Sequence, residues 1–227
     1  MRILIVSATF QEVAGLPPPD TIATGAGVIS EVQAGDNTLV FLVTGIGQMA
    51  TAFHLGKHLT LHNYDLVINI GIAGTFRADW ALGKVVNVGT DAFADLGAED
   101  GDQFIDFFKN GLIDADAFPF ARGLLAPIAS SDLDLASLDI ANGVTVNKVH
   151  GNAFSIRAVR ERFPKAEVES MEGAAFFYAC NQCHVPALQI RAISNYIEPR
   201  NTANWKIGIA LENLWEFLRT QLSIATN

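Results

Sequence analysis

The sequence predicts a single α/β domain with a central mixed, largely parallel β-sheet flanked by helices. Two observations favour this class. Short, almost continuously apolar runs alternate with segments of helical periodicity, as expected for buried strands joined by helices. The 227 residues are 50% hydrophobic, which suits one well-filled core and leaves too few residues for two ordinary domains with a linker. The sequence therefore predicts one domain, residues 1–227.

Four strands and one helix are predicted in the first half of the chain. Residues 3–7 form an apolar run too short for the core of a signal peptide, so they predict the first buried strand. The runs 39–44, 66–70 and 85–88 are predicted as strands for the same reason. Residues 49–61 show helical periodicity, and the three prolines at 17–19 mark an early loop.

The second half begins with an irregular stretch. Residues 97–127 are rich in Asp and Phe without a clear period, which predicts a long excursion from the sheet. Two more strands are predicted at 144–147 and 188–193, with a helix at 171–181 between them. A last helix is predicted from about residue 203, because four apolar residues recur there on one helical face: Ile207, Leu211, Leu214 and Leu218.

Charge and hydropathy limit the possible partners. The net charge of -9 argues against nucleic acid or an anionic membrane surface as a partner, since phosphate groups require a basic patch. No apolar run approaches the length of a membrane-spanning helix. We expect a soluble, cytoplasmic protein that acts on a small molecule.

Two patterns could indicate a metal. Cys180 and Cys183 form a Cys-x-x-Cys pair beside His184, but no second cluster supplies the four ligands of a structural zinc site. These residues are interpreted as thiols in a reducing compartment. Helical spacing also relates three histidines that no carboxylate accompanies: His54, His58 and His62. We expect neither a metal nor a cofactor.

Glycine-containing turns follow two of the predicted strands. Residues 44–47 read Thr-Gly-Ile-Gly, and residues 69–74 read Asn-Ile-Gly-Ile-Ala-Gly. Ligands of parallel sheets collect beyond the carboxyl ends of the strands, and glycines there allow close approach to the backbone. The Gly-x-Gly-x-x-Gly fingerprint in one strand-turn-helix unit is missing, so a nicotinamide cofactor is not expected.

Two further motifs carry polar groups. In Ser-Met-Glu-Gly-Ala-Ala, residues 170–175, Glu172 stands where an apolar helix begins. In Arg-Ala-Ile-Ser-Asn, residues 191–195, a buried strand ends on polar groups. With segments 8–13, 44–47, 69–74 and 151–154, these motifs resemble the nucleoside phosphorylase and hydrolase family, in particular its methylthioadenosine nucleosidase type. The resemblance spans nearly the whole chain and is weak around residues 15–36 and 96–127.

The resemblance implies three catalytic residues. Glu12 matches the base that activates water at the sugar C1′, and Glu172 matches the carboxylate that binds the ribose hydroxyls. Asn195 matches the residue that faces the purine. From the residues alone, Glu12 could equally be a solvent-facing loop residue, Glu172 a helix-start acid stabilised by the dipole, and Asn195 a strand-end cap.

The same resemblance implies the walls of the substrate site. Phe154 would pack on the purine, with Ser155 beside its edge. The remaining matches are near the ribose and its 5′ substituent: Ile46, Met171 and Trp205. Arg200 is the candidate cation for a carboxylate on the 5′ group. Apolar residues of this kind are more often plain core in an α/β domain.

Asn195 bears on which purine is bound. Adenine-specific members of the family carry Asp at this place, where a carboxyl can protonate N7. Asn cannot act as an acid, but it offers one N–H₂ donor and one C=O acceptor, which match O6 and N7–H of a 6-oxopurine. We therefore expect a hypoxanthine nucleoside, and the resemblance, which includes residues 196–201, implies futalosine.

Two positions of this chain differ from those with which phosphorylases of the family bind phosphate, and they bear on the nucleophile. Phosphorylases of the family hold phosphate with Arg and Ser or Thr in the third-strand motif, where this chain has Asn69 and Ile72. Water is therefore the expected nucleophile, although Ile72 leaves open which group holds it. The alternatives are a purine nucleoside phosphorylase, a methylthioadenosine or aminofutalosine nucleosidase, and a nucleoside-binding protein without turnover.

A homo-oligomer, a dimer at the simplest, is also expected. Three aromatic rings lie in the irregular stretch, and exposed aromatic patches usually mark an interface: Phe104, Phe107 and Phe108. The alternative is that these rings pack under their own loop.

Overall fold

The computed structural model describes residues 1–16, 26–128, 133, 135 and 137–224. The prolines at 17–19 lie outside this part of the chain. Its strands are β1 (Arg2–Ser7), β2 (Val28–Ala34), β3 (Asn37–Val43), β4 (Leu66–Thr75), β5 (Val85–Thr90), β6 (Gly97–Asp100), β7 (Gln103–Asp106), β8 (Asp139–Thr145), β9 (Val168–Ser170) and β10 (Ala187–Tyr196). Its α-helices are α1 (Gln48–Leu59), α2 (Ala153–Arg162), α3 (Gly173–Gln182) and α4 (Ile207–Gln221).

Eight strands form one sheet that closes on itself at β4. Along one arm the order is β2-β3-β1-β4, and β4 also pairs with both β10 and β9. Because β10 pairs with β5, β5 with β8 and β8 with β9, five strands make a ring. Most pairings are parallel, and β2–β3, β10–β5 and β4–β9 are antiparallel. The predicted mixed, largely parallel sheet is confirmed.

Helices cover both faces of the sheet, which explains why its strands are apolar throughout. On one face, α4 packs Leu214 and Leu218 against Ile3 and Ile68. On the opposite face, α1 and α3 pack on β1 and β3, with Phe176 fully buried. The predicted flanking helices are therefore present, and the polar loops at the strand ends are left to form a site.

Several boundaries differ from the predictions. The ladder between β4 and β10 continues past a bulge after Ile193, so Ser194 and Asn195 lie inside β10 rather than after it. Strand β8 begins at Asp139 and ends at Thr145, so both of its ends come earlier than those of the predicted run 144–147. Its first residues pair with β5. Helix α3 begins at Gly173, with Glu172 as its N-cap. The last helix begins at Ile207, after a short 3-10 turn.

Five elements were not predicted. Strand β9 has three residues, two of them polar, so it carries no apolar run. Helix α2 is capped by Asn152 and buries only Ile156 and Val159. The excursion 97–127 contains the β6–β7 hairpin, which has few buried side chains. Strand β2 lies at the outer edge of the sheet, paired only with β3 among the described strands.

Two of the candidate metal ligands, His58 and Cys180, are buried side chains. His58 is buried on α1, its ring nitrogen lies 2.5 Å from the Tyr64 hydroxyl, and burial lowers its pKa to about 4. Cys180 is buried, and burial raises the pKa of its thiol. Within the described ranges, no three His, Cys, Asp or Glu side chains are grouped as a metal site. No helix of the described chain is long and apolar enough to span a membrane.

Candidate active site

A cavity of about 360 Å³ opens beyond the carboxyl ends of β1, β4 and β10. The loop after β1 and the segment between β9 and α3 close two of its sides, and the start of α4 closes a third. The cavity brings together most of the predicted site residues. They are Glu12, Ile46, Met171, Glu172, Asn195, Arg200 and Trp205.

Glu12 is held by main-chain donors from the loop after β1. Its Oε2 accepts from the amides of Ala8 and Thr9 at 3.0 and 2.9 Å and from the Thr9 hydroxyl at 3.2 Å. Its Oε1 accepts from the amide of Ile72 at 3.4 Å. The Trp215 indole also donates to the Glu12 carbonyl at 2.8 Å, which ties the loop to α4. The carboxylate is therefore fixed and only 9% exposed.

Three buried carboxylates surround one buried guanidinium. Arg191 on β10 is 1% exposed, and burial lowers its pKa although Glu172, Glu12 and Asp91 raise it. It donates to the carbonyl of Asn69 at 3.3 Å and also to the Asn69 side chain. Burial raises the pKa of Glu12, and the charge of Glu172 adds to this effect, while the Thr9 donors and Arg191 oppose it. A carboxylate with a raised pKa is a stronger base, as water activation requires.

Glu172 reaches the cavity from the residue before α3. Its Oε1 accepts from the amide of Gly47 at 2.9 Å. Gly47 has φ of 94°, in the region that favours glycine, and this conformation aims its N–H at the carboxylate. The glycine turn predicted from the sequence therefore positions a side chain from a distant part of the chain.

The first turn of α3 packs on a buried polar pair. Asp91 accepts from the Thr145 hydroxyl at 2.8 Å and from Gln189 Nε2 at 2.9 Å, and burial raises its pKa to about 7. A Cβ on Gly173 would lie 2.2 Å from Asp91 Oδ2 and 2.0 Å from Gln189 Oε1. Glycine is therefore required after Glu172, since any side chain would push α3 and Glu172 away from the cavity.

Asn195 faces the cavity from the end of β10. Its Oδ1 accepts from the Ser194 hydroxyl at 2.8 Å, and its Nδ2 donates to the Tyr196 carbonyl at 3.1 Å. Each group keeps a second hydrogen-bonding position, so the amide still presents one donor and one acceptor. Gly74 on β4 lies directly beside it, where a Cβ would come within 3.1 Å of Nδ2.

One part of the cavity wall is apolar with one cation. Ile46 and Ile207 line it together with Trp205. The Arg200 guanidinium lies 5.0 Å from the centre of the Trp205 ring. The Arg200 amide donates to the Gly151 carbonyl at 2.9 Å, which fixes the segment after β10.

Phe154 and Ser155 are not brought to this cavity. They lie at the start of α2, where Phe154 is 86% exposed and its amide donates to the Asn152 side chain at 2.9 Å. The same helix borders a separate, more open hollow of about 520 Å³ with Arg157 and Glu198. The predicted contact of Phe154 with the purine stays a prediction.

Three polar residues near the site had no role in the sequence-based prediction. Arg191 lay within a recognised motif, and a charged residue in an otherwise apolar strand is itself a signal of a buried polar contact. Asp91 and Glu169 gave no such signal. Glu169 is placed by the pairing of β9 with β4, and Asp91 by a backbone bridge to Leu125; the sequence pattern reveals neither.

Known proteins share this sequence and fold. A futalosine hydrolase from Streptomyces coelicolor is 34% identical over 151 residues, which cover 66% of this chain and 62% of that protein. This chain therefore matches less than two thirds of that relative's length. A futalosine hydrolase from Thermus thermophilus is 30% identical over 187 residues, 81% of each chain.

A solved structure has the same fold. The 5′-methylthioadenosine/S-adenosylhomocysteine nucleosidase from Colwellia psychrerythraea, in complex with adenine, superposes with a TM-score of 0.79 at 22% identity, covering 98% of this chain and 95% of that one. The family model of the phosphorylase superfamily matches residues 3–222, nearly the whole chain. The chain belongs to the phosphorylase superfamily.

Proposed function

We propose that this protein hydrolyses the N-glycosidic bond of a 6-oxopurine nucleoside, and that the substrate is futalosine. One observation carries the proposal: a single cavity holds a fixed, buried carboxylate (Glu12), a second carboxylate (Glu172) and a carboxamide (Asn195). The names of the two relatives from Streptomyces coelicolor and Thermus thermophilus support the substrate.

Glu12 would act as the general base. Its carboxylate takes a proton from water as the water oxygen bonds to C1′. The bond between C1′ and N9 breaks, and its electron pair stays on the departing purine. The donors on Oε2 leave Oε1, among the described residues, with only the long contact to Ile72, so Oε1 is the oxygen free to accept the proton.

Glu172 would stabilise the sugar as it becomes positively charged. A carboxylate that accepts from a ribose hydroxyl bonds more strongly when the ring is cationic, so it lowers the barrier rather than only binding the substrate. The Gly47 amide occupies part of Oε1 and holds the group in place, which leaves Oε2 for the ribose.

Asn195 would stabilise the leaving base. The departing hypoxanthine anion spreads its charge onto O6, where the amide N–H₂ can donate, and the anion then takes a proton from solvent. Because Asn has no acidic proton, this site suits a base that leaves as an anion. The Ser194 bond to Oδ1 fixes which side of the amide donates.

Arg200 would bind the carboxylate of the 5′ substituent. Futalosine carries a carboxyphenyl ketone there, which needs an aromatic wall and a cation. Trp205 provides the aromatic wall and Arg200 the cation, and both line the cavity. Among the described residues that line the cavity, Arg200 is also the only cation, and its place against Trp205 makes it a poor clamp for phosphate beside C1′.

The test is release of free base from four nucleosides. Purified protein is mixed with futalosine, aminofutalosine, inosine or methylthioadenosine, with and without phosphate, and the base is separated by chromatography. We expect hypoxanthine from futalosine at a rate independent of phosphate. A rate that requires phosphate would indicate a phosphorylase, and faster release of adenine from the 6-amino nucleosides would indicate an adenine nucleosidase.

A further inference from the structure

A third carboxylate lines the cavity, and the proposed mechanism does not use it. The Glu169 side chain on β9 is 3% exposed. Its Oε1 accepts from the amide of His150 at 2.9 Å, and its Oε2 bonds to the His150 ring. No other hydrogen bond to this carboxylate is found in the described ranges, so each oxygen keeps a second acceptor position.

Strand register places Glu169 and Asn195 on the two sides of one glycine. Gly74 of β4 pairs with Asn195 of β10 and, on its other edge, with Glu169 of β9. Residues directly opposite one another share a face of the sheet, and two strand spacings separate the β9 and β10 backbones by about 10 Å. All three residues line the cavity, so they form a slot with a polar group at each end. A Cβ on Gly74 would meet Ile197 Cγ1 at 2.9 Å, so the Ile197 side chain is the floor of this slot.

We propose that Glu169 accepts the N1–H of the purine and, with Asn195, selects a 6-oxopurine. This inference rests on the proposed function. A 6-oxopurine presents an N1–H donor on one side of O6 and N7 on the other, which matches a carboxylate at one end of the slot and a carboxamide at the other. A 6-aminopurine presents an unprotonated N1, whose lone pair would face the carboxylate.

His150 is a positioning residue in this arrangement. Its two bonds hold both carboxylate oxygens, and among the described residues His150 does not line the cavity. A buried acceptor left without a donor costs free energy, so a base lacking N1–H is rejected rather than merely bound without benefit.

The test compares two substrates on one variant. In Glu169→Gln the amide keeps its size but can turn an N–H₂ toward N1. We expect the ratio of kcat/KM for futalosine to that for aminofutalosine to fall about 10- to 100-fold, the range of one charge-assisted hydrogen bond. Glu212→Gln, an exposed change on α4, is the matched control and should leave the ratio unchanged.

A second measurement needs no variant. For the wild-type protein, inhibition by hypoxanthine and by 1-methylhypoxanthine is compared, and we expect the methylated base to bind at least about 10-fold more weakly because it lacks N1–H. Equal inhibition, or an equal loss of both activities in a folded Glu169→Gln, would overturn the role of Glu169 while hydrolysis of futalosine stands. If the wild type releases no hypoxanthine from futalosine, the proposed function and this inference both fail.

Discussion

Gly71→Ala tests whether catalysis depends on the exact position of the Glu12 carboxylate. Gly71 lies in β4, and a Cβ added there would come 2.6 Å from Glu12 Oε1 and 3.7 Å from Arg191 Nη1. Ordinary contact begins at 3.4 Å, so the carboxylate would have to move by about 0.8 Å. Gly71 is not among the residues with positive φ, so the strand backbone accepts alanine.

The expected effect follows from this displacement. Moving a catalytic group by about 1 Å can cost about 100-fold in rate, so we expect kcat for hypoxanthine release to fall about 10- to 100-fold. In a Glu12→Gln background the displaced group is no longer a base, and Gly71→Ala should change kcat by less than about 3-fold.

The assay is initial-rate kinetics of base release for the two single variants and the double variant. Gly56→Ala is the matched control, because a Cβ at Gly56 on α1 meets no atom within 4 Å. Circular dichroism establishes that each variant is folded. Wild-type kcat in Gly71→Ala, or the same large loss with and without Glu12, would refute the reasoning.

Four further outcomes are expected. Glu12→Gln should bind substrate but lose about 10²- to 10⁴-fold in kcat, the range for a general base, and near-normal hypoxanthine release would contradict that role. Asn195→Asp should lower activity on futalosine and raise it on the 6-amino analogue, so equal wild-type rates on both would contradict the argument from the carboxamide. Asp91 has a pKa of about 7 in the fold against 3.8 as its ordinary value, so its contribution to stability is lost as pH rises through 7. Between pH 4 and 7, the free energy of unfolding of Asp91→Asn, measured with urea, should therefore gain up to about 4 kcal/mol relative to wild type; a constant difference would contradict the raised pKa. The protein should be a dimer by light scattering at micromolar concentration, because Met49 and Phe53 are 84% and 61% exposed on α1, the helix that follows the cavity residue Ile46, and a fully active monomer would exclude a shared site.

The fold class could be predicted because burial on both faces leaves a direct trace in the sequence. Strands such as β1 and β4 lie between two helix layers, so nearly every residue in them is apolar. Elements that bury few apolar side chains left no such trace. All three residues of β9 are buried but two of them are polar, and α2 buries only Ile156 and Val159.

The candidate site was predicted in part. Recognised motifs identified Glu12, Glu172 and Asn195, which the structure brings into one cavity. Glu169 was missed because its place depends on the register of β9 against β4, and periodicity carries no information on register. The sequence also did not reveal the contacts of two aromatic rings in the excursion: Phe104 lies against Arg162 of α2, and Phe108 packs on Phe120.

The position of β10 sets the order in which the molecule can be completed during synthesis. This strand, residues 187–196, lies between β4 and β5, and until it emerges from the ribosome those two strands have free edges inside the ring. It also brings Arg191, the cation that lies among three buried acids. Closure of the ring and neutralisation of those acids therefore occur in a single step, after the other four strands of the ring have been made. A nascent chain truncated before β10 would expose unpaired strand edges and have no active site.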